Sequence, residues 1–592
     1  LEYLKGIQLI RERKRLDEIE YLFKHALVQE VTYESILLKK RKELHLKVAN
    51  AIESVFPGRL HEFYGMLALH YSKGEDLEKA EEYLIKAGEE ALKAAASNEA
   101  LSYYREALAL YLKKTADAAD PEKIAMLEKN IAIALFNKGY YVEAVEHIDK
   151  VFACWGKRSA KNKFIVLLNM ALSLSALLKN LYFPSKKPKK IPGKRDSEIV
   201  NLTEKKASAL SAVDATRFFW ETIGILRMLI KVDIPKIENG VSIFTACSAL
   251  FSYTGISFGI SRKILDYIKD YIDKKDIKSF LIYNHIGLLH NFYSGSWHSG
   301  FEYDEKLIHR GLNVGEFFYT VVFTLVSGLL KIEQGNFNSA NGLVEKLSEI
   351  GETYRHELIT GRKYTLHTRL LLKCRRLHDA LKEADEGIAI LNRIAQNVYC
   401  LGVSGMKANI QILLKDIKGA ENSLVQAMAL IAHEKKVSPS YRSFLLISQF
   451  LFDLYQLEES LNSNDKTKIR QFRKKACHSG KAAVKNSMKF AGDRTEAFKL
   501  MGVYHWLMGK QKKALVWWNK SIKIGEHLGA RPELARTYME VGKRLLEKES
   551  KFQQLNGIQA YQYLEKARVL FNEMELEWDL DQLDKIKNCE PG

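Results

Sequence analysis

A fixed period in the middle of the chain restricts the fold more than any other feature. Ala340, Ala380 and Ala420 stand 40 residues apart, and the register reaches back to Gly300 and Ile260, which marks five units across 241–440. Gly255, Gly295 and Gly335 each lie five residues before a mark. Ser257, Trp297, Phe337, Leu377 and Ile417 lie three before, and Ile264, Asp304, Val344, Ala384 and Leu424 four after, so most columns are apolar. A period of roughly 20 to 50 residues means stacked supersecondary units. The pattern predicts a helix, a turn near the glycine, and a second helix whose small residue lets the two axes approach closely. Ten stacked helices are therefore expected over 241–440, with Ala340, Ala380 and Ala420 buried at the hairpin crossings. Composition agrees: 9 prolines in 592 residues, with 47% hydrophobic side chains, favour long helices around a sizeable core over a sandwich or barrel, and the fold class is all-α.

The best-preserved hairpin lies near the C-terminus: Phe498, Met501, Gly502 and His505, then Gly509, Ala514, Trp518 and Ser521. These offsets resemble the tetratricopeptide repeat, from which His505 and Ser521 depart mildly. Further copies run Leu67, Ala68, Tyr71, Ala80, Leu84, Ala87, then Ala100, Tyr104, Ala107, and again Ile131, Ala132, Leu135, Ala144, Ile148, Val151. Ala560, Leu564 and Ala567 close the series. Small and aromatic residues at these places (Ala80, Ala144, Ala340, Ala380, Ala420, Gly502, Gly509, Ala514, Trp518) are read as packing positions. One hairpin cannot bury its own apolar face, so neighbours must stack. The resemblance implies a right-handed solenoid with a concave surface suited to a protein or peptide partner.

The chain carries 91 Lys and Arg against 72 Asp and Glu, a net charge of +19, which excludes an acidic disordered segment. Two stretches interrupt the repeats. Leu181 to Arg195 holds three prolines among six basic residues and reads as an exposed loop. Lys466 to Lys489 carries basic residues and no acidic one, among them Arg473, Lys474, Lys475, Lys481 and Lys485. Spacing at i, i+4 lines several of these along one helix face. That face is either solvated, a docking surface for an acidic partner, or a phosphate-backbone footprint. No base-reading element accompanies it, and the acidic segment from Phe571 onward is unlike a helix that enters a nucleic-acid groove, so no nucleic acid is expected as partner. The longest uncharged run, Asn239 to Ser261, contains Ser242, Thr245, Ser252, Tyr253 and Thr254 with three internal glycines, and reads as a buried helix pair rather than a membrane span. Six cysteines (Cys154, Cys247, Cys374, Cys400, Cys477, Cys589) form no C-x-x-C pair, which fits reduced thiols in a cytoplasmic protein.

No catalytic centre is recognisable. Gly156-Lys157, Gly480-Lys481, Gly509-Lys510 and Gly542-Lys543 lack the hydroxyl residue of a phosphate loop, and His61-Glu62, His356-Glu357 and His433-Glu434 lack a second histidine four residues on. No catalytic residue, metal ligand or cofactor is expected here. The N-terminal stretch Phe23-Lys24-His25-Ala26-Leu27-Val28, continuing through Tyr33, Glu34, Ser35, Ile36, Leu37 and the basic run Lys39 to Lys42, resembles the end of the helical winged-helix part of signalling ATPases with numerous domains, with Phe23 and Ala26 in place of Met and Asp. The order of that stretch, then repeats, then L-G-A-R-P-E-L-A-R-T-Y from Leu528 to Tyr538 resembles the C-terminal half of large bacterial proteins. In these a class III adenylate or guanylate cyclase domain, or a protein kinase domain, precedes an AAA-type ATPase. The resemblance implies that His25 faces the β-phosphate of ATP or ADP held with Mg by the protein's own upstream ATPase; a histidine satisfied within a helix contact is the other reading. A first residue of Leu and no secretory signal fit a chain that begins mid-protein. The expected organisation is 1–56, the end of a winged-helix/helical region; 57–180, first repeats; 181–206, a basic Pro-containing loop; 207–465, the array of 40-residue period; 466–592, the basic helix and last repeats. The expectation is thus a non-catalytic regulatory repeat arm, with a free-standing adaptor or the arm of a nucleic-acid-binding regulator as rivals.

Overall fold

The computed structural model describes the chain except residues 16–17, 116–117, 158–162, 184–189, 230–231, 434–436 and 588–592. It divides into two units: Leu1–Leu135 with Glu146–Arg158, and Phe136–Val145 with Ser159–Gly592.

After a five-residue helix, Glu2–Gly6, the first unit forms an antiparallel hairpin, strand Ile10–Arg15 paired with Glu18–Phe23 in the register Ile10 to Phe23. Ile19, Tyr21 and Phe23 alternate along the second strand, a period of two that suits β-structure. Helices Ala26–Ser35 and Leu38–Val55 follow, and then the first repeats, Tyr64–Lys73, Leu77–Lys93 and Ser97–Thr115. Asp76 caps the second of these, its carboxylate accepting from the Lys79 amide at 3.1 Å. Leu67, Ala80, Ala100, Tyr104 and Ala107 are fully buried, as their repeat offsets require.

The second unit contains the array of 40-residue period, and ten α-helices run through 241–440. From residue 317 the helices start at strict 20-residue steps: Phe317–Glu333, Phe337–Thr353, Glu357–Lys373, Leu377–Arg393, Asn397–Leu413 and Ile417–His433. Each has 17 residues, which makes these hairpins tetratricopeptide-like. Ala340, Ala380 and Ala420 are 0% exposed. The turns are also periodic. Gly335, Arg355, Arg375, Ala395 and Lys415 all have positive φ. After each, the next amide reaches back into the last helical turn, as in Asn336 N to Lys331 O at 2.8 Å and Asp416 N to Gln411 O at 2.8 Å.

The register fails at one mark. Gly300 is exposed, outside any helix, because this unit spends residues 295–304 on a longer connection in which Trp297 is buried and donates to Phe292 O at 3.0 Å. Its second helix, Glu305–Asn313, starts late and is capped by Asp304, which explains the polar residue in an apolar column. The uncharged run forms helices Gly240–Thr254 and Phe258–Ile268, turned by Gly255 at φ 64°, and its hydroxyls pair internally, Ser252 with Ser261 and Ser242 with Ser279, each at 2.7 Å. No helix among the described residues is long and apolar enough to cross a membrane. The expected loop 181–206 is corrected over its second half, since helix Lys194–Val213 starts inside it; residues 184–189 lie outside the described residues.

Two further expectations are corrected. Gly509 was placed with the packing residues, but it is exposed and touches nothing where a Cβ would stand; its φ of 68° ends helix Arg494–Leu507 instead. Gly502 does pack: a Cβ there would come within 2.2 Å of the Trp518 indole nitrogen. The concave face of the array is also not open. Helix Asn397–Leu413 buries fourteen of its 17 residues, whereas the outer helix Leu377–Arg393 buries five of 17. Inner helix Glu357–Lys373 is held to the C-terminal repeats of the same unit through Arg369 to Asp493 and Lys373 to Glu533, so part of the surface expected to take a protein or peptide is occupied by the chain itself.

Candidate functional site

The helices that close the concave face meet it through buried charge. Arg369 donates to Glu333 at 2.7 Å and to Asp493; Lys373 reaches Glu533 at 2.8 Å and Glu496 at 3.1 Å; Arg536 pairs with Asp579 at 2.7 Å and donates to the Lys373 carbonyl at 2.7 Å. Burial opposes ionisation of Glu533, but Lys373, Lys499 and Arg536 outweigh it and hold its carboxyl well below the usual range. Glu333 and Lys373 are one 40-residue step apart, as are Asp493 and Glu533. The network ties repeats together.

Beside it the inner helices enclose a cavity of about 130 Å³. Its wall is mostly apolar, with Phe318, Val322, Leu329 and Phe444, but Arg362, Tyr399, Tyr441 and His285 also line it. Arg362 is 2% exposed. Its guanidinium donates to the Tyr399 hydroxyl at 2.7 Å and sits 5.1 Å from the Tyr399 ring centre and 5.6 Å from that of Phe318. The Arg362 Nε has no hydrogen-bond partner, nor does the Nδ1 of His285. Burial, and then the Arg362 charge, push His285 down to about 3, so the imidazole is neutral. The other buried cations each have a carboxylate: Lys206 has Glu221, Lys346 has Glu349, Arg369 has Glu333, Lys373 has Glu533, Arg536 has Asp579 and Arg544 has Glu540. Among the described residues none pairs with Arg362. Glu204 also lines the cavity, but its carboxylate accepts from Tyr319 and, at 2.9 Å, from Ser208.

Sequence reasoning missed this site. One signal was available: at 40-residue spacing Arg362 follows Ile282 and Val322 and precedes Gly402, a lone cation in an apolar column.

The residues singled out from sequence are not brought together. Ala80, Ala144, Ala340, Ala380, Ala420, Ala514 and Trp518 are each 0% exposed in their own hairpins. The basic residues Arg473, Lys474, Lys475, Lys481 and Lys485 lie exposed on helix Lys466–Ser487, opposite its buried face of Ala476, Gly480 and Ala483. His25 is exposed at the N-cap of helix Ala26–Ser35, its carbonyl accepting from Val28 and Gln29 amides at 3.2 Å, so it is not a packed helix histidine. That helix buries no residue, and Leu27 and Val31 are 71% and 61% exposed. No cluster among the described residues has the side chains to hold a metal ion.

No protein-family model matches the chain, and no curated protein does. Among solved structures it is similar to a Rap protein complexed with competence and sporulation factor, at 11% identity and a TM-score of 0.43, over 65% of this chain and 99% of that one. It is also similar to the APC/C hetero-tetramer Cut9–Hcn1 (14% identity, TM-score 0.41, 95% and 99%) and to yeast Tom70 (11%, 0.33, 86% and 98%). Likenesses this distant carry no argument about function.

Proposed function

We propose that the chain is a non-catalytic, protein-interacting regulatory arm of a cytoplasmic signalling ATPase, attached through that ATPase to a nucleotide cyclase domain. One observation supports this reading above the others. Helix Ala26–Ser35 has no buried residue, and with Leu27, Val31, Leu37 and Leu38 all exposed it lies beside a strand that shows Ile19, Tyr21 and Phe23. A ten-residue helix that buries none of its residues is marginal in water, and an exposed apolar patch of this kind marks a docking surface. The partner in this reading is the protein's own ATPase module, whose ATP or ADP, held with Mg, would lie near His25. The exposed basic row is a second docking face for an acidic surface.

The test is to produce the segment encoded immediately upstream and titrate it with this 592-residue chain. Tight binding is expected, weakened at least about tenfold by Leu27→Glu with Val31→Glu, which as exposed substitutions should barely move the melt. His25→Ala should weaken ADP retention in the joined protein. An upstream segment without a phosphate loop, or unchanged binding by the double variant, overturns the reading.

A further inference from the structure

A charged guanidinium shut in a mostly apolar cavity with no carboxylate paired to it is an incomplete arrangement. Taking an ion out of water is costly unless it is paired, and arginine cannot escape by losing its proton. The chain answers this cost at each of the other fully buried cations and leaves it unanswered at Arg362. The neighbours of Arg362 are tyrosines, phenylalanines and the neutral His285, and the stacking of Phe318 and Tyr399 on the guanidinium supplies only part of the missing interaction. Because Arg362 donates to the Tyr399 oxygen, the Tyr399 proton points to no acceptor among the described residues. Arg362 Nε and the Tyr399 O–H are thus two unmatched donors at one wall of a cavity whose remaining wall is mostly hydrocarbon.

We propose that the cavity binds a small organic monocarboxylate, its carboxylate accepting from Arg362 and Tyr399 and its apolar body filling the space between the inner helices. A single cation balances a single negative charge, and Glu204, a carboxylate that lines the same cavity, disfavours a second one. The 130 Å³ of room approaches the roughly 150 Å³ that takes up benzene in an engineered apolar cavity, so the body is one aromatic ring or a short acyl chain. The site is independent of the docking face at the N-terminus. It lies where inner helices of the array meet the helix from Pro439 to Asn462, so an occupant would brace the closed arrangement from within.

The full chain should be titrated with phenylacetate and hexanoate, and with phenylacetamide and hexanamide as neutral isosteres, at constant chloride, by calorimetry and thermal melting. The acids are expected to raise the melting temperature at millimolar concentration and to bind at least about tenfold more tightly than the amides, the size of a lost charge-assisted hydrogen bond. Arg362→Gln should remove the preference for acid over amide. Should that variant fail to fold, Val322→Trp, which keeps the charge and fills the cavity, must abolish both responses while still melting cooperatively. The proposal is overturned if the acids do not bind, if acids and amides bind alike, if chloride alone reproduces the shift, or if Arg362→Gln keeps the preference.

Discussion

Ala420 shows how much one side chain decides in this fold. It is 0% exposed, at the crossing where helix Ile417–His433 meets helix Asn397–Leu413, and a methyl group is all that the approach of the two axes admits. Ala420→Leu should overpack the crossing and cost roughly 1 to 3 kcal/mol, read as a lower midpoint in urea with an unchanged slope. An unaltered midpoint would mean that the crossing has slack and that the register does not set its spacing. Not every position in the series has this character. Gly502 is held small by the Trp518 indole, whereas Gly509 is glycine because of its φ, and both look alike in a list of repeat residues. Packing and backbone conformation both select glycine, so the sequence alone could not separate them.

At the scale of the helix the period was legible and the turns only half so. Gly255, Gly295 and Gly335 announced left-handed residues, but the same conformation recurs at Arg355, Arg375, Ala395 and Lys415, where no glycine marks it. There the repeating helix length and the closing amide bonds impose the turn against a local cost of about 1 kcal/mol. Of the cavity only the lone cation Arg362 was legible, because Arg362 and Tyr399 come from successive inner helices and meet only once these stack. The basic row, by contrast, was plain in the sequence, and its exposure has a consequence. Replacing Arg473, Lys474 and Lys475 by Glu should change stability by no more than about 0.5 kcal/mol, since their helix is held by its opposite face. Random duplex DNA should bind the unmodified chain no more tightly than about 10⁻⁴ to 10⁻⁶ M at physiological salt, followed by fluorescence anisotropy. A tighter, sequence-selective complex lost in the triple variant would reassign the row to nucleic acid.

Over the whole molecule the buried titratable groups set how the chain responds to acid. Burial pushes His285 down to about 3 and His290 to about 4, while a histidine in the unfolded chain titrates near 6.5. The unfolded state therefore takes up protons first as pH falls, and stability present above 6.5 is lost below it, about 2 kcal/mol per histidine by pH 5. A second loss follows below about 4.5, where the depressed Glu533 and Asp579 lose their advantage. Melting temperatures should fall between pH 7 and pH 5, and His285→Leu should flatten that fall; a melt independent of pH there would mean that both imidazoles are already charged or hydrated. The filled concave face bears on synthesis as well. A stack whose repeats touch only their neighbours can fold as it emerges from the ribosome, one unit after another. In this chain Arg369 waits for Asp493, and Lys373 for Glu496 and Glu533, partners 124, 123 and 160 residues further on. The middle of the array must leave the ribosome with Arg369 and Lys373 sharing only Glu333 and with its inner helices bare. It can settle only when the last repeats arrive, so a chain cut short before residue 490 would not be a smaller version of this protein but a substrate for chaperones.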